Sequence, residues 1–170
     1  MKPAIWCILF EYMKHISIDL GDTLFNRQLP KTLQDKWSVR QLFPSAIEVI
    51  KDYKDAGWKI SVISKIDPGA ELRVGMNLIY HNIVPNIIDV DDVHFCYSRD
   101  AKGAIARDIG SDIHIDDRVE ALNSVHNEGV KHKIIFIGGH DERNNLTLSF
   151  EGVHVAHDWE EVRKIIDNLE

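Results

Sequence analysis

Short apolar runs of strand length alternate with longer amphipathic stretches along most of the chain. This alternation limits the fold more than any other feature. Residues 15–19 read as a buried strand. Residues 44–57, PSAIEVIKDYKDAG, read as a helix, with Pro44 in its first turn, Gly57 at its C-terminal cap and Ile47, Ile50 and Tyr53 on one face. Residues 58–64, WKISVIS, form a second strand, and Pro68 opens a second helix with Leu72, Met76 and Ile79 on one stripe. Strands at 93–97, 113–115, 133–139 and 153–156 follow. Helices at 101–109 and 118–128 separate them, the latter closed by Gly129. Asp158 and Glu161 begin a last helix that carries Val162, Ile165, Ile166 and Leu169. The pattern predicts the α/β class: a three-layer, Rossmann-like fold with a mostly parallel central sheet covered by helices on both faces.

The chain of 170 residues fits one domain, and 44% hydrophobic with 28% charged residues supports a packed core rather than disorder. A formal net charge of −7 argues against broad nucleic-acid binding, which needs a basic surface, though not against one phosphorylated end. Cys7 and Cys96 lie far apart, in no zinc-like spacing, so reduced thiols and a cytoplasmic setting are expected. The apolar run Ala4 to Phe10 is too short to span a bilayer, and no small-residue cleavage site follows it. No membrane association is expected. Residues 1–12 read as an N-terminal extension, and 13–170 as a single domain starting at the second methionine, Met13.

In a parallel sheet, ligands bind beyond the carboxyl ends of the strands. Asp19, Gly21 and Thr23 follow the first strand. Ser64 and Lys65 follow the second, Ser98, Arg99 and Lys102 the third, and Asp116 and Asp117 the fourth. Asp19, Asp116 and Asp117 offer hard oxygen ligands that suit Mg²⁺. A lysine and a hydroxyl suit phosphate oxygens. A carboxylate beside Mg²⁺ can attack phosphorus and form an aspartyl-phosphate. Each residue alone has a plainer reading as a turn, cap or surface group; the ordered set points to phosphoryl chemistry.

That ordered set resembles the haloacid dehalogenase (HAD) superfamily of phosphohydrolases over roughly residues 14–169. The stretches that carry the resemblance are DLGDTL at 19–24, ISVIS at 60–64, Lys102 within SRDAKGAIA, and IHIDDR at 113–118. The resemblance implies Asp19 as nucleophile and Mg²⁺ ligand, and the Gly21 carbonyl as a second ligand. It implies Ser64 and Lys102 as phosphoryl-binding groups, and Asp117 with Asp116 as the rest of the metal site. Thr23 would support the first loop. Lys65 and Arg99, beside these groups, are further candidates for holding substrate, as is Thr23.

One position departs from the family pattern. Phosphatases of this family usually carry a second Asp, the general acid and base, two residues after the nucleophile; here that residue is Gly21. Asp22 comes one position later, points elsewhere by the alternation of side-chain directions, and reads as a turn or flap residue. A water, His15 or a residue of 25–43 is left to supply the proton. The chain also has room only for a small flap around 26–37, not for a large cap domain, so it looks like the capless members, including deoxyribonucleotidase-type relatives in IDDR and the terminal WEEV. An open site would admit a large substrate or be closed by a neighbouring subunit in a homo-oligomer.

The nine histidines form no metal-binding pair on a helix, and His94, His114 and His154 fall on strands, where structural roles are expected. Gly138-Gly139 reads as a turn, and Trp58 as a packing residue; Trp37 lies in the flap. The expected function is a Mg²⁺-dependent phosphohydrolase acting through Asp19 on a small phosphorylated substrate. The alternative is a weak or inactive phosphate- and metal-binding regulatory module on the same fold.

Overall fold

The computed structural model describes residues 14–27, 32–34, 37–138 and 152–169; of residues 32–34 and 37 it describes the backbone alone. Residues 1–13 and Gly139 therefore lie outside it, as do Cys7 and His140.

Among the described residues, six strands form the central sheet: β1 (His15–Ile18), β6 (Lys59–Lys65), β7 (Val93–Cys96), β8 (Ile113–Asp116), β9 (His132–Phe136) and β10 (Val153–Ala156). Their order is β10-β9-β8-β1-β6-β7, and every neighbouring pair runs parallel. β1 is central, with Ile16 paired to Ile60 on one side and Ile113 on the other. The chain builds outward from β1 through β6 to β7, then returns to lay β8 against the other side of β1. The topological switch point therefore lies between β1 and β8, where such sheets form their binding crevice.

Among the described residues, five helices cover the sheet: α1 (Ala46–Asp55), α2 (Glu71–Tyr80), α3 (Ala101–Asp108), α4 (Val119–Asn127) and α5 (Trp159–Asp167). The larger core packs Ile16, Ile18, Ile60 and Ile134 against Val49, Ile50, Val162 and Ile166 of α1 and α5. The second core packs Ile63 and Ile135 against Ala106, Leu122 and Val125 of α3 and α4. A sheet buried on both faces explains why its strands read as unbroken apolar runs. The Asp158 side chain accepts from the Glu161 backbone N–H at 2.8 Å, the N-cap expected from the D-x-x-E spelling. Gly57 lies just past α1 at φ +89°, as its cap role requires.

Two expectations need correction. Pro68 does not open α2: Pro68-Gly69 form a turn with Gly69 at φ +83°, and the helix begins at Glu71. Nor does the stripe of Leu72, Met76 and Ile79 form the buried face; Leu72 is 68% and Ile79 53% exposed, and Met76 is half-buried. The buried face holds Leu78 and the polar Asn77, whose amide is used by backbone groups, so the apolar periodicity pointed to the wrong side.

In place of a cap domain, the described residues between β1 and α1 form two small antiparallel pairs. β2 (Phe25–Asn26) pairs with β5 (Gln41–Leu42), and β3 (Thr32–Gln34) with β4 (Trp37–Val39). Among the described residues, no helix is long and apolar enough to cross a membrane.

Candidate active site

Parallel strands deliver their C-terminal residues to one edge, and there Asp19, Ser64, Lys102, Asp116 and Asp117 converge around a cavity of about 260 Å³. The Asp19 backbone N–H donates to the Ile115 carbonyl at 2.9 Å, which ties the loop after β1 to the strand that carries the acid pair.

Lys102, 2% exposed, enters from the first turn of α3 and donates to Asp19 Oδ1 at 2.6 Å and Asp116 Oδ2 at 2.5 Å. Ser64 Oγ donates to the same Asp19 Oδ1 at 3.1 Å. Burial alone would push the Lys102 ammonium down, but Asp116 and Asp19 outweigh it and hold it well above its usual range. Burial would likewise raise Asp116, yet Lys102 and His114 bring it down to about 2. Asp19 is raised, by burial and then by Asp116, against the pull of Lys102.

Behind this triad runs a buried polar chain. His114 Nε2 lies 3.2 Å from Asp116 Oδ2, its Nδ1 lies 2.7 Å from Ser17 Oγ, and Ser17 Oγ lies 2.7 Å from Ser111 Oγ. His114 thus has the structural role expected of it, and Asp116 is fixed further by accepting from the Arg118 backbone N–H at 2.9 Å. Asp117 is different. Its carboxyl, pushed up to about 8 by burial and by Asp116 and Asp19, meets Arg118 Nε at 3.1 Å without hydrogen-bond alignment. Oxygens of Asp19, Asp116 and Asp117 lie within 4.8 Å of one another, an arrangement that fits a hard divalent cation.

The glycine and aspartate after Asp19 behave differently. Asp22 adopts φ +64°, is buried, and accepts from the Arg27 backbone N–H at 3.0 Å and Arg27 Nε at 2.9 Å. It is the turn residue its position suggested. Gly21 lies on the cavity wall with the Arg27 side chain against it: a Cβ there would meet Arg27 Nε at 3.0 Å.

Lys65 and Arg99 also line the cavity, with Lys65 Nζ bonded to Asp67 at 2.8 Å. Thr23 does not. It is buried within the loop after β1, and its carbonyl accepts from Trp159 Nε1 at 3.0 Å. His15 stands at the opposite end of β1, bonded to Ser61 Oγ and the Ile109 carbonyl, too remote to supply a proton. Sequence reasoning missed Arg27, Arg40 and Arg73, which the flap and α2 bring to the wall. It also missed Gly103, where α3 and α4 meet so closely that a Cβ would collide with the Ser124 carbonyl.

No protein-family model and no curated sequence matches the chain. Its fold is nevertheless that of solved HAD-superfamily proteins. D,D-heptose 1,7-bisphosphate phosphatase from B. bronchiseptica, solved with magnesium and phosphate, superposes with a TM-score of 0.66 at 16% identity, over 91% of this chain and 98% of that one. A HAD-superfamily hydrolase from Ehrlichia chaffeensis gives 0.64 at 12%, over 91% and 96%. A family IA, variant 3 HAD hydrolase from Entamoeba histolytica gives 0.63 at 14%, over 92% and 100%.

Proposed function

We propose that the chain is a Mg²⁺-dependent phosphohydrolase of the capless HAD type, acting on a small phosphorylated substrate through an aspartyl-phosphate on Asp19. The observation that carries the reading is the buried Lys102 bridging Asp19 and Asp116 beside Ser64 and the perturbed Asp117. Ser64 and Lys102 both hold Asp19 Oδ1, which leaves Oδ2 as the attacking atom. Its lone pair forms the O–P bond as the bond from phosphorus to the leaving oxygen breaks. Water then attacks phosphorus, releases inorganic phosphate and restores the carboxylate. Lys102 offsets charge on the transferring group, and Ser64, with Lys65 and Arg99 at the rim, orients it.

Asp19, Asp117 and the Gly21 carbonyl would hold Mg²⁺, with Asp116 contributing directly or through water. The bound ion would supply positive charge next to the phosphoryl oxygens. The reading includes a cytoplasmic setting, on the thiol argument from Cys7 and Cys96.

With Gly21 in place of the usual acid, the departing oxygen takes its proton from water. General acid help is worth about 10²–10⁴-fold, so esters with good leaving groups, acyl phosphates among them, are favoured. The same glycine motivates a second reading, a regulatory module that binds phosphate or metal without turnover. Phosphate release from aryl, nucleotide, sugar and acyl phosphates, with and without Mg²⁺, separates the two. Activity that needs both the metal and Asp19, and is lost in Asp19→Asn, supports the enzyme. A folded, Mg²⁺-binding protein inert on every substrate supports the module.

A further inference from the structure

The cavity wall is far more cationic than the protein around it. The chain carries a net charge of −7, yet Arg27, Arg40, Lys65, Arg73, Arg99, Lys102 and Arg118 all line this one cavity. Four of these cations have carboxylate partners: Lys102 with Asp19 and Asp116, Arg118 with Asp117, Lys65 with Asp67, and Arg27 with Asp22. Among the described residues, Arg40, Arg73 and Arg99 form no ion pair. The carboxylate nearest in influence to Arg40 is Asp22, already engaged by Arg27. Burial and the charges of Arg27 and Arg73 together hold the half-buried Arg40 guanidinium below its usual range.

The backbone that carries Arg40 is tied to α2, which carries Arg73, and the Arg27 side chain itself is fixed. Asn77 Oδ1 accepts from the Arg40 backbone N–H at 2.7 Å, and Asn77 Nδ2 donates to the Arg73 carbonyl at 2.9 Å. His81 Nε2 lies 2.7 Å from the Arg40 carbonyl, a second tie between the flap and the end of α2. Asp22 fixes Arg27 in a two-point ion pair, through Nε at 2.9 Å and Nη2 at 2.7 Å, and the absent Cβ of Gly21 makes room for it. Such clustering is unfavourable unless an anion meets it, and guanidinium forks suit the planar oxygen pairs of phosphate and carboxylate.

We propose that Arg27, Arg40 and Arg73 form a second anion subsite, so that the substrate is a phosphate ester carrying a second anionic group. With Asp22 pairing Arg27, the three guanidiniums keep a surplus of two positive charges, which favours a dianionic phosphoryl group there over a monoanionic carboxylate. The proposal rests on the reading of Asp19 as the phosphoryl site, and it gives Gly21 a role: the place of the missing acid belongs to a substrate-binding arginine.

The test is binding to the Asp19→Asn protein, with Mg²⁺, of alkyl monophosphates and of the matching diol bisphosphates and phosphooxy-carboxylates over two- to six-carbon spacings. At least one doubly anionic ligand is expected to bind about tenfold or more tightly than its monophosphate. Arg40→Ala should collapse that ratio, Arg40→Lys should keep part of it, and thermal unfolding of each variant should show that it folds. The tighter class at the best spacing identifies the second group as phosphate or carboxylate. Equal binding of mono- and doubly anionic ligands at every spacing, or an advantage unchanged by Arg40→Ala in a folded protein, overturns the subsite. Absence of turnover in the wild type alongside a preserved binding advantage would count against the phosphohydrolase alone.

Discussion

The Arg27 side chain lies against Gly21, its Nε 3.0 Å from where a Cβ would stand, and Asp22 holds it there. In the proposed reading, the place of the general acid is thus empty of a side chain but not of charge. An aspartate introduced at 21 would meet a guanidinium and pair with it. Gly21→Asp alone is therefore expected to change the hydrolysis of alkyl phosphates by less than about tenfold. Gly21→Asp with Arg27→Ala should approach the 10²–10⁴-fold range of general acid help. Steady-state kinetics of the four-member cycle would show this coupling as strong non-additivity.

Lys102 is the single cation between two buried carboxylates. Lys102→Met would remove the cation that bridges Asp19 and Asp116, leaving Ser64 on the first and His114 with the Arg118 backbone N–H on the second. Loss of one partner from a buried ion pair costs about 3–5 kcal/mol. Urea unfolding should show a loss of that order, and phosphate release should fall to background. A variant of unchanged stability would mean that the lysine is not held as described.

Asp117, pushed up to about 8, keeps a proton in the metal-free folded protein that the unfolded chain, with a carboxyl pKa near 4, has lost. Between about pH 4 and pH 8 the folded state binds more protons, so its stability falls as pH rises through that window. Asp19, also raised, acts in the same direction. Asp116, lowered to about 2, acts oppositely, its contribution being lost only as pH falls below about 4. In the proposed reading, a divalent cation bound at the cluster would displace the Asp117 proton. Thermal unfolding should therefore show Mg²⁺ stabilising the protein more near pH 8 than near pH 6; equal stabilisation at both would contradict this assignment.

Much of this centre was legible because a parallel sheet makes strand ends meet. Once the apolar runs at 15–19, 60–64 and 113–115 are read as strands, Asp19, Ser64 and Asp116 must share an edge. The register then sets Ile18 beside Val62 and Ile115. Lys102 follows, since α3 starts at that same edge. Arg40 and Arg73 were not legible. Their meeting depends on the flap docking on α2 through Asn77, a polar residue beside Leu78 on the buried face of a helix that turns Leu72 and Ile79 outward. Periodicity assigns the inner face to apolar side chains and has no means of finding an amide clamp.

Gly103 shows the same limit at closer range. It follows Lys102, and any side chain there would strike Ser124 of α4, whose Oγ accepts from the Gly103 backbone N–H at 2.9 Å. Gly103→Ala should force α3 away from α4, at about 1–3 kcal/mol for overpacking, and carry Lys102 away from Asp19. Activity should fall more than stability, a split that comparing turnover with chemical denaturation would reveal.

In the proposed mechanism Asp19 becomes phosphorylated during turnover. Wild-type protein quenched in acid during turnover of an aryl or acyl phosphate, reduced with borohydride and analysed by peptide mass spectrometry, tests it directly. The account predicts homoserine at position 19, formed only with Mg²⁺ present and absent when substrate is omitted. Sustained phosphate release with position 19 recovered only as unmodified aspartate, or full activity in Asp19→Asn, would contradict it.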